Sequence, residues 1–402
     1  MATSQIPPRP AVEADLDGLL ALGAEAFSAE EVPELQRTIG VHGIGAFEVI
    51  DDPDDGIVAC SALLSRTLTV DGLAVPTGQI EFVATAAAHR RRGYIRALIT
   101  GLHRRSAAVG NLVEFIIGIP YFYRRFGYGR APWGAPRWGL TGEADLSTPA
   151  GWQTRPATPA DAALLAAVDD TERRASGLAT CGVLSARTPG LWPGILADQA
   201  GERILLSEGP AGPGAYARTW EADGRLWAFE AAAADRTAAA ALLTGLAELA
   251  ASPLALAVTA VPGTPLDSLL LDVATPLDAG EPPYARIADP VALLTHLGPV
   301  LEARLDGTTF ADGRQQLELN TYRSAVRIDF HDGRLRTVRA VRPHEACPAG
   351  ATSLPPERLP ELLLGAHDIV ALERLDPDVR CRGTRALTRT LLPARRAHVT
   401  PQ

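Results

Sequence analysis

Four arginines, Arg90, Arg91, Arg92 and Arg96, surround one glycine, Gly93, where a strand-like pattern gives way to a helical one. Arg90-x-x-Gly93 at such a junction leaves several backbone N–H groups unpaired and aimed at one spot. The positive end of the helix dipole lies behind them. The chemistry of that spot is anion binding, and the stretch Arg90 to Arg96, with Tyr94 and Ile95 inside it, predicts a diphosphate seat. The bland alternative is a charged helix start on a solvated face. Further along, Tyr121, Tyr123 and Tyr128 follow an apolar run, Leu112 to Ile119. A phenol is a workable proton donor to a departing thiolate only where it is well positioned, because its pKa of about 10 lies above the thiol's 8.5 or so.

The neighbouring residues predict the elements that must hold these groups. Ile80, Phe82 and Ala84 alternate with Glu81, Val83 and Thr85, the period of a strand. Ile95, Leu98, Ile99 and Leu102 follow at helical spacing, which predicts an amphipathic helix straight after the turn. Asp51 to Gly56 lies between two apolar runs and reads as a hairpin turn; calcium binding is the sharper alternative, but the ligand spacing is wrong for it.

An internal repeat organises the chain. Arg9-Pro10 with Asp15, leading into Leu19 to Leu22, recurs as Arg155-Pro156 with Asp161, leading into Leu165 to Val168. Where the second copy should carry its anion turn, Phe229 to Thr237 has neither glycine nor arginine cluster. From about Tyr284 the pattern changes. A Leu-rich helix over Pro290 to Ala303 precedes strands at Gln315 to Leu319, Ser324 to Phe330 and Arg334 to Ala340, then a helical tail from Pro356. Asp332-Gly333 supplies a hairpin turn.

Composition narrows the function. The 402 residues hold 38 basic side chains against 47 acidic ones, and every basic one is arginine. A net charge of −9 argues against nucleic acid as the main partner and is compatible with a cationic substrate. Cys60, Cys181, Cys347 and Cys381 are scattered and predict free thiols, with no metal site. With neither an apolar leader nor a run of 18 apolar residues, a cytoplasmic protein without membrane association is expected.

The turn resembles the acyl-CoA-binding segment of GNAT N-acyltransferases, with Ile95 where small residues are commoner. The whole order (Arg-Arg-Arg-Gly, Tyr-x-Arg-Phe-Gly-Tyr-Gly, a degenerate second unit, a carrier-like end) resembles the enhanced intracellular survival (Eis) family. The resemblance implies a mixed α/β (α+β) fold of tandem GNAT units followed by a C-terminal sterol-carrier-protein-2-like domain. The divisions are expected at 1–148, 149–284 and 285–402. It implies acetyl-CoA as acyl donor, a small-molecule amine such as an aminoglycoside as acceptor, and a homo-oligomer, hexameric in the family. It places CoA contacts on Val83, Ala84, Thr85 and the turn, and the general acid on Tyr123, leaving Tyr121 and Tyr128 as packing aromatics. Acceptor contacts fall on Phe27, Glu30, Glu31 and Gln36, the last standing where an aromatic is found in the family.

Two departures from the family pattern stand out. Gly118 and Ile119 replace a polar pair, so that only their backbone is available for cofactor contacts. The family delivers its terminal carboxylate as general base on an aromatic tail. This chain ends His398-Val399-Thr400-Pro401-Gln402, about two residues shorter and so about 7 Å short in reach. The Gln402 carboxylate, the His398 imidazole and a frayed terminus remain alternatives. So do two other functions: a biosynthetic acyltransferase with one dedicated acceptor, and a ligand-binding or regulatory protein with vestigial sites.

Overall fold

Gly56–Val70 and Leu73–Thr85 form a long antiparallel hairpin around which the amino-terminal sheet is built. The computed structural model describes residues 6–119, 121–131, 135–140, 147–187, 190–197, 201–222, 224–250, 255–277 and 284–399. Phe47–Asp52 pairs with the near half of Gly56–Val70, and the expected turn at Asp51 to Gly56 joins them. Val113–Ile116 lies parallel to Leu73–Thr85 and is reached through the helix Tyr94–Ala108, which crosses over between them. The residues that give this helix its amphipathic pattern are those it buries: Leu98, Ile99 and Leu102 are fully inaccessible. Each contributes about 1.5–3 kcal/mol relative to an exposed position.

A second sheet has the same succession of elements. The short strand Gln153–Pro156, the helix Ala162–Ala175 and three antiparallel strands (Glu202–Gly209, Gly212–Ala222, Arg225–Ala233) lead to the helix Arg236–Leu249. The strand Leu256–Thr259, parallel to Arg225–Ala233, follows. The sequence repeat has a local cause. Arg9 donates to both Asp15 carboxylate oxygens at 2.7 and 2.8 Å, and Val12 N–H donates to the same carboxylate at 2.8 Å. In the second copy, Arg155 donates to both Asp161 oxygens at 2.8 and 2.9 Å, and Thr158 N–H donates to it at 2.8 Å. Each aspartate thus ties a short strand to the start of the following helix.

The sheets exchange strands across the expected boundaries at 148/149 and 284/285. Arg137–Leu140 pairs with Leu256–Thr259 in the second sheet, while Tyr284–Arg286 joins Val113–Ile116 in the first. Gly182–Ser185 pairs with Leu68 to Val70, and Arg396–His398 adds beside it in parallel. Such pairings join residues far apart in sequence, so local pattern does not reveal them.

The carboxy-terminal layer is a five-stranded sheet with helices. Asp332 and Gly333, both at positive φ (50° and 68°), turn its second hairpin, between Ala325–His331 and Arg334–Val341. The single helix expected over Pro290 to Ala303 is two, Pro290–His296 and Gly298–Leu305, because Pro299 takes a helix-starting position and cannot continue the preceding ladder. One apolar core joins this layer to the first sheet: Leu68, Val75 and Phe115 pack in the same cluster as Leu293, Leu317 and Leu362.

Candidate active site

The turn before the helix Tyr94–Ala108 has the geometry its sequence predicts. Arg91 (φ 66°) and Gly93 (φ 87°) are both left-handed, and Gly93 is the N-cap. Among the described residues no side chain caps the helix, and its first turn holds no acidic residue. The first backbone bond along the helix is Ala97 N–H to the Gly93 carbonyl, so the N–H groups before it are open to an anion. Arg90, Arg91 and Arg96 are exposed beside them. His89, buried behind the turn, is 3.0 Å from Asp55 Oδ2, so the acidic hairpin props the anion seat.

A cleft of about 730 Å³ runs from this turn toward Tyr123. Its walls include Val83, Ala84 and Thr85 from the strand, Arg90 to Arg96 from the turn, Phe27 just past the end of the helix Leu16–Ala26, and Ile119, Phe122, Tyr123 and Phe126. The opening has a simple origin in strand register. Leu73–Thr85 and Val113–Ile116 pair from Thr77↔Val113 to Ile80↔Ile116 and no further. Past that point Phe82 takes a φ of 52°, and the register with Gly56–Val70 shifts by one residue, a β-bulge. From Glu81 to Thr85 one strand edge is therefore unpaired among the described residues, and its N–H and C=O groups are available to an extended ligand.

Tyr123 lies 5% exposed at the inner end of the cleft, in a short 3-10 helix. Burial, and then the charge of Glu81, push its phenol up to about 12, so it keeps its proton at neutral pH. Tyr128 is the packing aromatic expected: fully buried, its hydroxyl 3.0 Å from His103 Nε2 and donating to Glu114 at 3.4 Å. Tyr121 is not. It is 67% exposed at a φ of 63°, under the Arg124 guanidinium, because the turn after Ile119 throws it outward.

Of the two positions that depart from the family's polar pair, Ile119 lines the cleft and Gly118 backs Tyr123. Phe27 lines the cleft and packs edge-on against Phe82, ring centroids 6.2 Å apart. Glu31 and Gln36 do not join it. Both are exposed, and the side that the helix Val32–His42 buries carries Leu35 and Thr38 instead. The Glu30 side chain lies outside the described residues.

The tail corrects one expectation and leaves another untouched. Up to Val399 it is not frayed: Arg396–His398 is a strand, and Arg395 donates to both oxygens of Asp71. His398, however, does not reach the cleft. Its half-buried ring packs against Asp169, Glu172, Tyr216 and Glu230 around a void of about 20 Å³, and among the described residues neither ring nitrogen has a hydrogen bond. Burial lowers its pKa to about 4. Gln402 lies outside the described residues.

The corresponding helix of the second sheet, Arg236–Leu249, is closed to anions. Asp235 is its N-cap and accepts from Ala238 N–H at 2.8 Å, placing a carboxylate where a phosphate would have to sit.

Residues 7–131 match the Acetyltransferase (GNAT) domain family. The N-acetyltransferase Eis of Mycobacterium tuberculosis is 38% identical over 126 residues, a stretch spanning 30% of this chain and 31% of the relative. The chain thus matches about a third of the length of its curated relatives. Two solved structures share the fold over nearly the whole chain. A GCN5-related N-acetyltransferase from Kribbella flavida has a TM-score of 0.70 at 19% identity, covering 98% of this chain and 97% of that one. Eis1 from Mycobacterium abscessus has 0.61 at 17%, covering 96% and 97%. Residues 7–131 are therefore a GNAT acetyltransferase domain similar to that of the Eis N-acetyltransferases, in a chain whose fold the two solved structures share.

Proposed function

We propose that this protein is an acetyl-CoA-dependent N-acetyltransferase that acetylates primary amines of small cationic molecules such as aminoglycoside-like antibiotics. The observation that carries the reading is the uncapped, arginine-flanked helix start at Gly93, opening into a cleft that ends at a buried, protonated tyrosine.

The residues present fit the donor. Backbone N–H groups at Gly93 to Arg96, with Arg90, Arg91 and Arg92, would hold the diphosphate. The unpaired strand edge at Val83 to Thr85 would take the pantetheine amides and orient the thioester carbonyl, whose developing negative charge backbone N–H groups stabilise. Acetyl-CoA supplies the activated acyl group. Tyr123 donates its proton to the departing sulfur, and the apolar walls Phe27, Phe122 and Phe126 keep water from competing for the acyl carbon.

The second sheet fits a degenerate GNAT unit, and the carboxy-terminal layer is read as sterol-carrier-protein-2-like. The same resemblance implies a homo-oligomer. An acceptor screen with acetyl-CoA, read as release of free thiol, tests the function. Turnover with amines, aminoglycosides among them, is expected. Absence of turnover with any amine would overturn the reading.

A further inference from the structure

The hydroxyl of Tyr123 has no hydrogen-bond partner among the described residues. The phenol is therefore aimed by the packing of its ring and by the backbone that carries it. Two residues earlier, Tyr121 has a φ of 63°, a conformation that an aromatic residue holds only where its surroundings enforce it. The enforcing group comes from 163 residues away: Tyr121 N–H donates to Tyr284 Oη at 3.3 Å.

The strand Tyr284–Arg286 puts that hydroxyl in place. It lies between Val113–Ile116 and Gly129–Arg130, the strands at the two ends of the segment that carries Tyr123, and Tyr284 pairs with both Ile116 and Arg130. Its side chain is 4% exposed, in one apolar cluster with Ile80, Tyr123 and Tyr128. Arg286, two residues on and so on the same face of the strand, donates to Glu114 at 2.8 Å. Glu114 also accepts from Tyr128, whose ring meets that of Tyr123 edge-on, centroids 6.2 Å apart. One short strand from outside the amino-terminal unit thus grips the segment at Tyr121, before the phenol, and at Tyr128, after it.

Resting on the function proposed above, we propose that Tyr284 is a positioning residue for acetyl transfer: by accepting from Tyr121 N–H, its hydroxyl fixes the turn that seats Tyr123 toward the departing sulfur. Tyr284 is not among the walls of the cleft, so it acts through the Tyr121 backbone and not on the donor or the acceptor. Without the hydroxyl, Tyr121 N–H loses its partner, the turn relaxes from its positive φ, and the phenol moves out of line. The anion seat at Gly93 is built on a different element, the start of the helix Tyr94–Ala108, and is left intact.

The test compares the full-length parent, Tyr284→Phe, Tyr123→Phe and the double variant by release of free thiol from acetyl-CoA, with kanamycin and with cadaverine as acceptor. Tyr284→Phe keeps the ring and its packing and removes only the oxygen. Calorimetry with CoA establishes that each variant is folded with its donor site intact. Tyr284→Phe is expected to keep CoA affinity and the acceptor KM while kcat falls about tenfold or more. In the Tyr123→Phe background the same change should cost about twofold at most, because no phenol proton is left to aim. Parental kcat in Tyr284→Phe, a loss of its CoA affinity, or an undiminished fall in the Tyr123→Phe background would overturn the role of Tyr284 while leaving the proposed function intact. A parent that acetylates neither these nor any other amine would overturn the function, and this inference with it.

Discussion

Gly118 and Tyr123 approach so closely that a Cβ on Gly118 would lie 3.0 Å from Cε2 of the tyrosine ring and 3.4 Å from its hydroxyl. Gly118 also has a φ of 146°, which side-chain-bearing residues rarely adopt. The position where the family pattern has a polar residue is thus a glycine that lets the phenol settle at the end of the cleft. Gly118→Ala should displace Tyr123. A fall in kcat of tenfold or more with CoA affinity retained is expected, together with a stability loss of about 1–3 kcal/mol for the forced backbone. Steady-state kinetics and thermal unfolding check both effects.

CoA should bind once per chain. The Gly93 helix start is open to a diphosphate and the Asp235 start is blocked by its own cap. Calorimetry is expected to give one site, and Arg91→Ala with Arg92→Ala should weaken it by about 1.5–3 kcal/mol for each charged hydrogen bond to the phosphates that is removed. A stoichiometry of two would contradict the blocked second helix.

His398 links stability to pH. Its folded pKa of about 4 lies below its ordinary 6.5, so between those values the unfolded chain binds more protons than the folded one. Stability from this group is full above 6.5 and is lost as pH falls toward 4. His398→Leu should therefore flatten the fall in melting temperature over that window. Glu172, raised to about 8 by burial, works in the opposite sense, with its contribution lost as pH rises through 8. An unchanged acid limb in His398→Leu would mean that other half-buried groups, such as His42 and His103, control it.

What the sequence made legible was local. The Arg90 to Arg96 turn, the helix after it, the Asp51 to Gly56 hairpin and the Arg–Asp repeat each follow from turn chemistry, periodicity or capping within a dozen residues. The tyrosine of the site was placed by resemblance, and the cleft wall brings it together with the turn. What was not legible depends on register and long-range pairing. The bulge at Phe82, the end of pairing at Ile80, and the burial of His398 beside Tyr216 are set by strands far apart in the chain. The break before Pro299 was legible and was passed over, since a proline eight residues or so into a Leu-rich run interrupts the helix on local grounds.

The tail offers a separate check. It is pinned as far as Val399 by the Arg396–His398 strand, and a terminal carboxylate with a catalytic role could not tolerate extension. If the Gln402 carboxylate is not the base, residues appended after Gln402 should leave kcat within a few-fold of the parent. A loss of about 10²-fold with CoA binding intact would assign the base to the Gln402 carboxylate instead.

The most direct measurement is the turnover of Tyr123→Phe with acetyl-CoA and an amine acceptor, alongside its CoA affinity. The variant lacks only the phenol's hydroxyl and its proton, so affinity should match the parent while kcat falls by about 10²-fold or more. Parental turnover in Tyr123→Phe, with Tyr121→Phe or Tyr128→Phe inactive instead, would contradict the assignment of the cleft between Gly93 and Tyr123 as the site of acetyl transfer.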